Sequence, residues 1–371
     1  MSLSLNNKRV ALFLQGGGAL GAYQVGAFTA LAEACKNVHN TVSWVGGISI
    51  GAVNSAVIAG AKSRDPVAEL KQVWNEILNQ PADFISLWKL LPPYFKFSRL
   101  SSLIPKYADF LCTAFNPLGK PHFWTSRLYN PWEDPLILQW LRPLKASELS
   151  FYDTEPLRQM LNKHVDFDSI NGKNGPWLSL GATRVIDGEL VFFNSFIEPI
   201  SAQHVLASGA LPPGFPGITV DGEVYWDGGV AGDTPIQSLV EYVVNDPKDT
   251  IVFLINLWDR KGTVPQSMDE MAWRQKCIQF SSPKKVIASV VNEHQYKVEL
   301  GKVPPMLLEV CPITFERSEN SQTVQFAYAD ADFSRTTYEQ MVKLGYADMQ
   351  DLLEHPCRVP HVGGEYAALY R

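Results

Sequence analysis

Short β-branched and aromatic runs alternate along this chain with longer stretches whose apolar residues recur at three- and four-residue steps. Arg9 to Gln15 reads as a strand that runs into Gly16-Gly17-Gly18-Ala19-Leu20-Gly21, and Ala22 to Glu33 has the length and composition of a helix. Val42 to Gly46 is a second strand pattern, followed by small apolar residues as far as Lys62. Val67, Leu70, Val73, Trp74 and Ile77 mark a helix within Arg64 to Gln80, and Phe151 to Asn162 predicts another, with Pro156 in its first turn. Trp177 to Thr183 and Glu189 to Asn194 are strands about a turn at Asp187-Gly188. Ile200 to Ala210 is a short helix stopped by Gly209 and a Pro-rich loop, and Val220 to Trp226 reads as a tight hairpin around Asp221-Gly222. Asp233, Thr234 and Pro235 have the residues of a helix start. Thr250 to Trp258 is nearly all apolar, as a strand buried on both faces of a parallel sheet must be. Ser267 to Leu300 is helical in pattern with a break at Pro283, Met306 to Phe315 is a strand, and Thr336 to Glu354 is an amphipathic helix. Strands alternating with helices over this length predict an α/β fold and argue against a bundle or a β-sandwich.

Composition narrows the function more than the fold. The 371 residues are 46% hydrophobic and 19% charged, enough for one large core or two smaller ones. A net charge of -6 offers no overall attraction to phosphate, so nucleic acid is not an expected partner. Cys35, Cys112, Cys277, Cys311 and Cys357 are scattered, which suggests neither a disulfide framework nor a metal cluster and fits a reducing compartment. Lys8-Arg9 ahead of Val10 to Leu14 imitates a signal peptide, but the five-residue apolar run ends in glycines. With no span of 18 apolar residues elsewhere, the expectation is a cytoplasmic protein without signal peptide or transmembrane helix.

The chemistry concentrates in two turns. Gly47-x-Ser49-x-Gly51 stands between a strand pattern and a small-residue helix, the setting of a nucleophile elbow. Glycine flanks the serine at both sides because strand and helix approach too closely there for a Cβ. Gly16-x-Gly18-x-x-Gly21 formally satisfies a dinucleotide fingerprint, yet no carboxylate ends the second strand to hold a ribose, and no cofactor is expected. Two other uses of the glycines stay open: a cradle of backbone N-H groups for an oxyanion, or a tight turn without a ligand.

Taken with Asp227-Gly228-Gly229, these motifs appear in the order of the patatin-like phospholipases, which the chain resembles over about residues 9 to 240. Ala207-Ser208-Gly209-Ala210-Leu211-Pro212-Pro213-Gly214-Phe215-Pro216 is similar to the loop before the aspartate in the bacterial members. The resemblance implies a three-layer α/β/α sandwich with a mostly parallel central sheet. It also implies a serine acyl hydrolase acting on lipid or ester substrates, with Ser49 as nucleophile, Asp227 as its base, and an oxyanion hole from the N-H groups of Gly16, Gly17 and Gly18. Leu20 stands where many members carry Arg, and Asp233 where Asn is common, which places an extra carboxylate near Asp227. Two readings compete with the Ser-Asp dyad. One is a conventional triad, for which His294 and His361 have the chain order; the other is a catalytically silent lipid-binding or scaffold protein of the same fold.

The expected organisation is an acyl hydrolase domain over 1–260, interrupted by a cap-like insertion at 81–145, and a C-terminal extension over 261–371. The insertion holds 9 of the 25 prolines and 4 of the 10 tryptophans. Its eight Lys or Arg against four Asp or Glu make it basic, and Trp88, Tyr94 and Phe95 beside Lys89 and Lys96 suit peripheral contact with a membrane.

Overall fold

The computed structural model describes residues 4–78, 119–120, 123–126, 145–172, 175–233, 235–239, 248–281, 308–315 and 329–355, with 289–290, 292–293, 296–297 and 299–301. The strands are β1 (Arg9–Leu14), β2 (Val42–Ile48), β3 (Gly119–Lys120), β4 (Trp124–Ser126), β5 (Tyr152–Asp153), β6 (Trp177–Arg184), β7 (Leu190–Asn194), β8 (Ile218–Val220), β9 (Glu223–Asp227), β10 (Thr250–Asn256) and β11 (Leu308–Thr314). The helices are α1 (Gly21–Asn37), α2 (Ile50–Ala59), α3 (Pro66–Leu78), α4 (Glu155–His164), α5 (Phe167–Asn171), α6 (Ala202–Ser208), α7 (Met268–Phe280) and α8 (Arg335–Glu354).

Eight strands form the central sheet in the order β11-β10-β1-β2-β6-β9-β8, with β7 also on β6. From β11 to β6 every pairing is parallel, whereas β7, β8 and β9 join antiparallel. β1 and β10, each six or seven consecutive buried residues, lie at the middle of the parallel part, and their composition leaves no polar face for water. Val10, Leu12 and Leu14 look to the face covered by α1 and α2; Ala11 and Phe13 look to the other, against Trp44, Val252 and Leu254. Helices flank a mostly parallel sheet, the α/β fold expected.

The C-terminal residues are built into this unit. β11 extends the sheet beyond β10, and α8 crosses α1 so closely that a Cβ on Gly26 would lie 1.9 Å from the Val342 carbonyl oxygen and one on Gly345 2.0 Å from that of Tyr23. Only glycine at both crossing points permits that backbone approach. Nearer the middle of the chain, α3 and α4 flank the insertion and are clasped by buried His164, whose Nδ1 lies 2.6 Å from Glu69 Oε1. Of the insertion, β3, β4, Phe123 and Lys145 are described: β4 joins β3 and β5 in a small antiparallel sheet. Trp88, Tyr94 and Phe95, and with them the proposed membrane face, lie outside the described residues.

Candidate active site

β2 and β9 share one edge of β6. Gly181 pairs with Phe192 of β7 on one side and Ile48 of β2 on the other; the next residue, Ala182, pairs with Val191 and with Asp227. β2 runs along β6 and stops at Ile48, while β9 runs against β6 and stops at Asp227, so the two strand ends meet head to head at consecutive β6 positions. Ser49 and Asp227, 178 residues apart, are thereby brought to one cavity, where the serine side chain is near enough to favour the ionised carboxylate.

Each residue is held by its backbone. Ser49 has φ 57 and ψ -125, a conformation that L-residues avoid and that raises its side chain out of the turn at the start of α2. Its N-H donates to the Ser208 carbonyl at 3.1 Å, and the Asp227 N-H donates to the Ala210 carbonyl at 3.0 Å. The last residue of α6 and the segment just after it therefore bridge both. Ser208 Oγ donates to the Gly181 carbonyl at 2.6 Å, fixing that bridge to β6 where the strand ends meet. Asp227 is 2% exposed, and its Oδ1 accepts the Gly229 N-H at 2.8 Å. Burial pushes its carboxyl from 3.8 up to about 6, against the opposing pull of the Ser49 side chain and the Gly229 hydrogen bond.

The glycine loop follows β1, beside this pair. Trp258 Nε1 donates to the Gly16 carbonyl at 2.8 Å, and Gln15 Oε1 accepts the Leu257 N-H at 2.7 Å. Gln15 Nε2 donates to the carbonyls of Asp233 and Phe280 at 2.9 and 2.7 Å. Of the three amides expected to face an oxyanion, that of Gly16 is already committed: it donates to Asp233 Oδ1 at 2.8 Å. Gly17 and Gly18 line a cavity of about 240 Å³ together with Ser49, Asp227 and Asp233. The rest of its lining is mainly apolar, from Phe123, Trp124, Tyr152, Leu157, Phe215 and Phe333. Trp124 stands edge-on to Phe215 and Phe333, each at 5.6 Å between ring centroids, so strands of the insertion and residues near α8 close one aromatic wall.

None of the described histidines, His39, His164, His204 and His355, lines the cavity. His204 is occupied in capping α6, accepting the Ser201 N-H on Nδ1 at 3.0 Å. His294 and His361 lie outside the described residues. Gln15, Trp258 and the wall residues Asp330, Ala331 and Phe333 carry no motif, whereas Ser208 stands in the Ala207 to Pro216 loop that carries part of the resemblance; Gln15 and Trp258 had a weaker signal, since they sit at the carboxyl ends of parallel strands, where α/β sheets gather their sites.

The patatin-like phospholipase family matches residues 12–240, more than half of the chain. The chain belongs to the patatin-like phospholipase family. As a member it is a hydrolase of lipid carboxylic esters. Comparison with curated proteins gives no match. Among solved structures it is similar to VipD from Legionella pneumophila at 17% identity and a TM-score of 0.37, over 95% of this chain and 68% of that one. It is also similar to full-length ExoU from the type III secretion system of Pseudomonas aeruginosa, solved in complex with SpcU, at 16% identity and a TM-score of 0.27, over 80% of this chain and 60% of that one. Among the described residues, no helix is long and apolar enough to cross a membrane, and no group of three or more His, Cys, Asp or Glu could hold a metal ion.

Proposed function

We propose that this patatin-like phospholipase cleaves lipid esters through a Ser49-Asp227 dyad and an acyl-enzyme. The observation that carries the reading is the convergence of the strained Ser49 and the buried Asp227 carboxyl at adjacent β6 positions inside an apolar cavity. In the first half-reaction Ser49 Oγ attacks the ester carbonyl carbon and Asp227 takes the hydroxyl proton. The carbonyl oxygen becomes an oxyanion, held by the N-H groups of Gly17 and Gly18. Collapse breaks the bond to the alcohol, which leaves with the proton from Asp227. A water then gives its proton to Asp227 and attacks the acyl-Ser49 carbonyl, releasing the fatty acid and restoring the hydroxyl. A carboxyl titrating at about 6 suits both directions: it is ionised at neutral pH, and it is a stronger base than a carboxylate in water.

The aromatic wall takes the acyl chain, and its burial supplies binding without charge. In this reading residues 1–260 form the acyl hydrolase domain, while the extension 261–371 contributes Phe280, Asp330, Ala331 and Phe333 to the cavity.

The test is turnover of a soluble p-nitrophenyl ester together with labelling by a fluorophosphonate probe. Ser49→Ala and Asp227→Asn should each lower kcat by about 10⁴-fold or more, and the double variant should be little worse than either, because the two residues act as one unit. The probe should modify Ser49. Substantial turnover by a folded Ser49→Ala protein, or a probe adduct on another residue, would reject the dyad. Product analysis on a mixed phospholipid and neutral-ester panel then gives acyl length, head group and cleaved position.

A further inference from the structure

Asp233 is a second carboxyl in the same cavity, 6% exposed, and the hydrolytic steps above make no use of it. It lies between the turn Gly228–Val230 and the short 3-10 helix Pro235–Ser238, and Gln15 Nε2 holds its backbone carbonyl. Its Oδ1 accepts the Gly16 N-H at 2.8 Å. A Cβ added to Gly16 would lie 3.0 Å from Asp233 Oδ1 and 3.0 Å from Ser49 Cβ, so this residue is wedged between the carboxyl and the nucleophile. Its carbonyl is tied to Trp258 Nε1. Gly16 is therefore gripped by donor and acceptor together, one residue before the amides assigned to the oxyanion.

We propose that Asp233 is the positioning residue of the glycine loop, holding Gly16 by its carboxyl so that the Gly17 and Gly18 N-H groups face the carbonyl oxygen that becomes the oxyanion when Ser49 attacks, and that it works as the neutral acid. The inference rests on the dyad reading of the site. Hydrogen-bond donors stabilise an oxyanion only if they already point at it, because reorienting them during the reaction costs what they would contribute. A loop of three glycines has little stiffness of its own, so its aim must come from outside.

The neutral state follows from the surroundings. Burial raises the Asp233 carboxyl well above the usual carboxylate range and the Asp227 charge raises it further, outweighing the pull of the Gly16 N-H. Among the described residues, Asp227 at the end of β9 is the charged side chain that bears on it; Gln15, Gly16, Trp258 and Phe280, which complete the network, carry no charge. Asp330, whose carbonyl oxygen would lie 2.2 Å from a Cβ on Gly18, has its carboxylate paired with Lys276 at 2.7 and 2.9 Å. Two adjacent buried carboxyls that line one cavity ionise in sequence, as a pair. The first ionisation arms the base. The second sets another negative charge beside the developing oxyanion, so the rate should fall again at alkaline pH.

Full-length wild type, Asp233→Ala, Asp233→Asn and Ser49→Ala are compared on a soluble p-nitrophenyl ester from pH 5 to 10. Asp233→Ala should lower kcat by roughly 10- to 100-fold with KM held within about twofold, as loss of aim rather than of substrate binding. Asp233→Asn keeps an acceptor for Gly16 without a titratable proton. It should restore kcat at neutral pH to within about threefold of wild type and lack the alkaline fall, while the acid limb stays. Wild-type kcat in Asp233→Ala, Asp233→Asn as impaired as Asp233→Ala, or the same alkaline limb in wild type and Asp233→Asn would overturn the proposal. If Asp233→Ala does not fold, the alkaline limb of Asp233→Asn against wild type decides alone. An active Ser49→Ala protein would instead overturn the dyad reading, whereas an inactive one beside a fully active Asp233→Ala rejects only the role of Asp233.

Discussion

Two strand-turn-helix units stand side by side in this protein, and they use glycine differently. The elbow joins β2 to α2 and presents Ser49; the glycine loop joins β1 to α1 and presents backbone N-H groups. In the elbow the obstacles to a side chain are backbone. A Cβ on Gly47 would lie 2.2 Å from the Gly51 carbonyl oxygen, and one on Gly51 2.1 Å from that of Leu14. In the loop they are mostly side chains: Gly16 would meet Asp233 and Ser49, and Gly17 would meet Leu257 Cδ1 at 2.9 Å. Gly18 is the exception, with φ +55 and the Asp330 carbonyl oxygen 2.2 Å away. The elbow thus needs glycine to be assembled at all, whereas the missing side chain at Gly16 lets Asp233 and Ser49 close in on it, and the one at Gly17 leaves room for the loop beside Leu257. Stability should govern substitutions in one turn and turnover those in the other.

The largest effect expected of this contrast is at Gly51. Gly51→Ala drives a Cβ into backbone that has nowhere to move, and should cost on the order of 4 kcal/mol or more, or prevent folding. Urea unfolding measures it, and a Gly51→Ala protein as stable as wild type would break the comparison. Gly17→Ala should behave in the opposite way. The end of the Leu257 side chain can give, so the fold survives, but the loop shifts by a few tenths of an ångström and its donors lose their aim. A fall in kcat of about 10² to 10³-fold with KM nearly unchanged is expected. A change confined to KM would remove the oxyanion role from this loop.

Next in size is the stored cost of the base that the elbow uses. The Asp227 carboxyl titrates at about 6 in the folded protein against 3.8 ordinarily, so between those values the native state binds the extra proton. Its contribution is fully present below about 3.8 and is lost as pH rises through about 6. The loss is on the order of 3 kcal/mol by pH 8. Asp227→Asn should remove that slope, being more stable than wild type at pH 8 and losing the advantage at pH 4. Parallel stability-pH curves for the two proteins would show that the carboxylate is not strained by burial.

The difference in physics also explains what could be read beforehand. The elbow was legible because its demands are local: a strand, a glycine on either side of serine and a small-residue helix are neighbours in sequence. The α/β alternation was legible for the same reason, and β10 stands at Thr250–Asn256 within the apolar run that predicts it. The convergence of Ser49 and Asp227 was not, since it depends on β2 and β9 ending at adjacent positions of β6, a register no local pattern encodes. Nor was the capture of the Gly16 N-H by Asp233, across 217 residues. The helical pattern of Ser267 to Leu300 with its break at Pro283 was legible too: α7 ends at Phe280 and helical residues recur among 289–299; what no local pattern shows is that the final residue of α7 turns back to the glycine loop through the Phe280 carbonyl.

The smallest effects sharpen the comparison most, because each turn has one buried tryptophan N-H serving it. Trp74 Nε1 donates to Asn54 Oδ1 at 2.9 Å, and Asn54, within α2, donates in turn to the Gly21 carbonyl and Gln24 Oε1. Trp258 Nε1 donates to the Gly16 carbonyl, while its ring packs on Trp273 and Phe280 with centroids 5.4 Å away in both cases. Phenylalanine keeps most of the ring packing at either position and deletes only the donor. Trp74→Phe leaves the Asn54 oxygen without that donor in the core beneath the elbow, and should cost about 1–3 kcal/mol in unfolding with kcat within twofold of wild type. Trp258→Phe frees one end of the Gly16 peptide and should lower kcat about fivefold, the rate equivalent of one ordinary hydrogen bond, with a smaller change in stability. The pair is measured by urea unfolding and ester turnover on the same preparations. If both variants lose stability and activity in the same proportion, the two turns form one cooperative element, and the division between an elbow built for assembly and a loop built for aim does not hold.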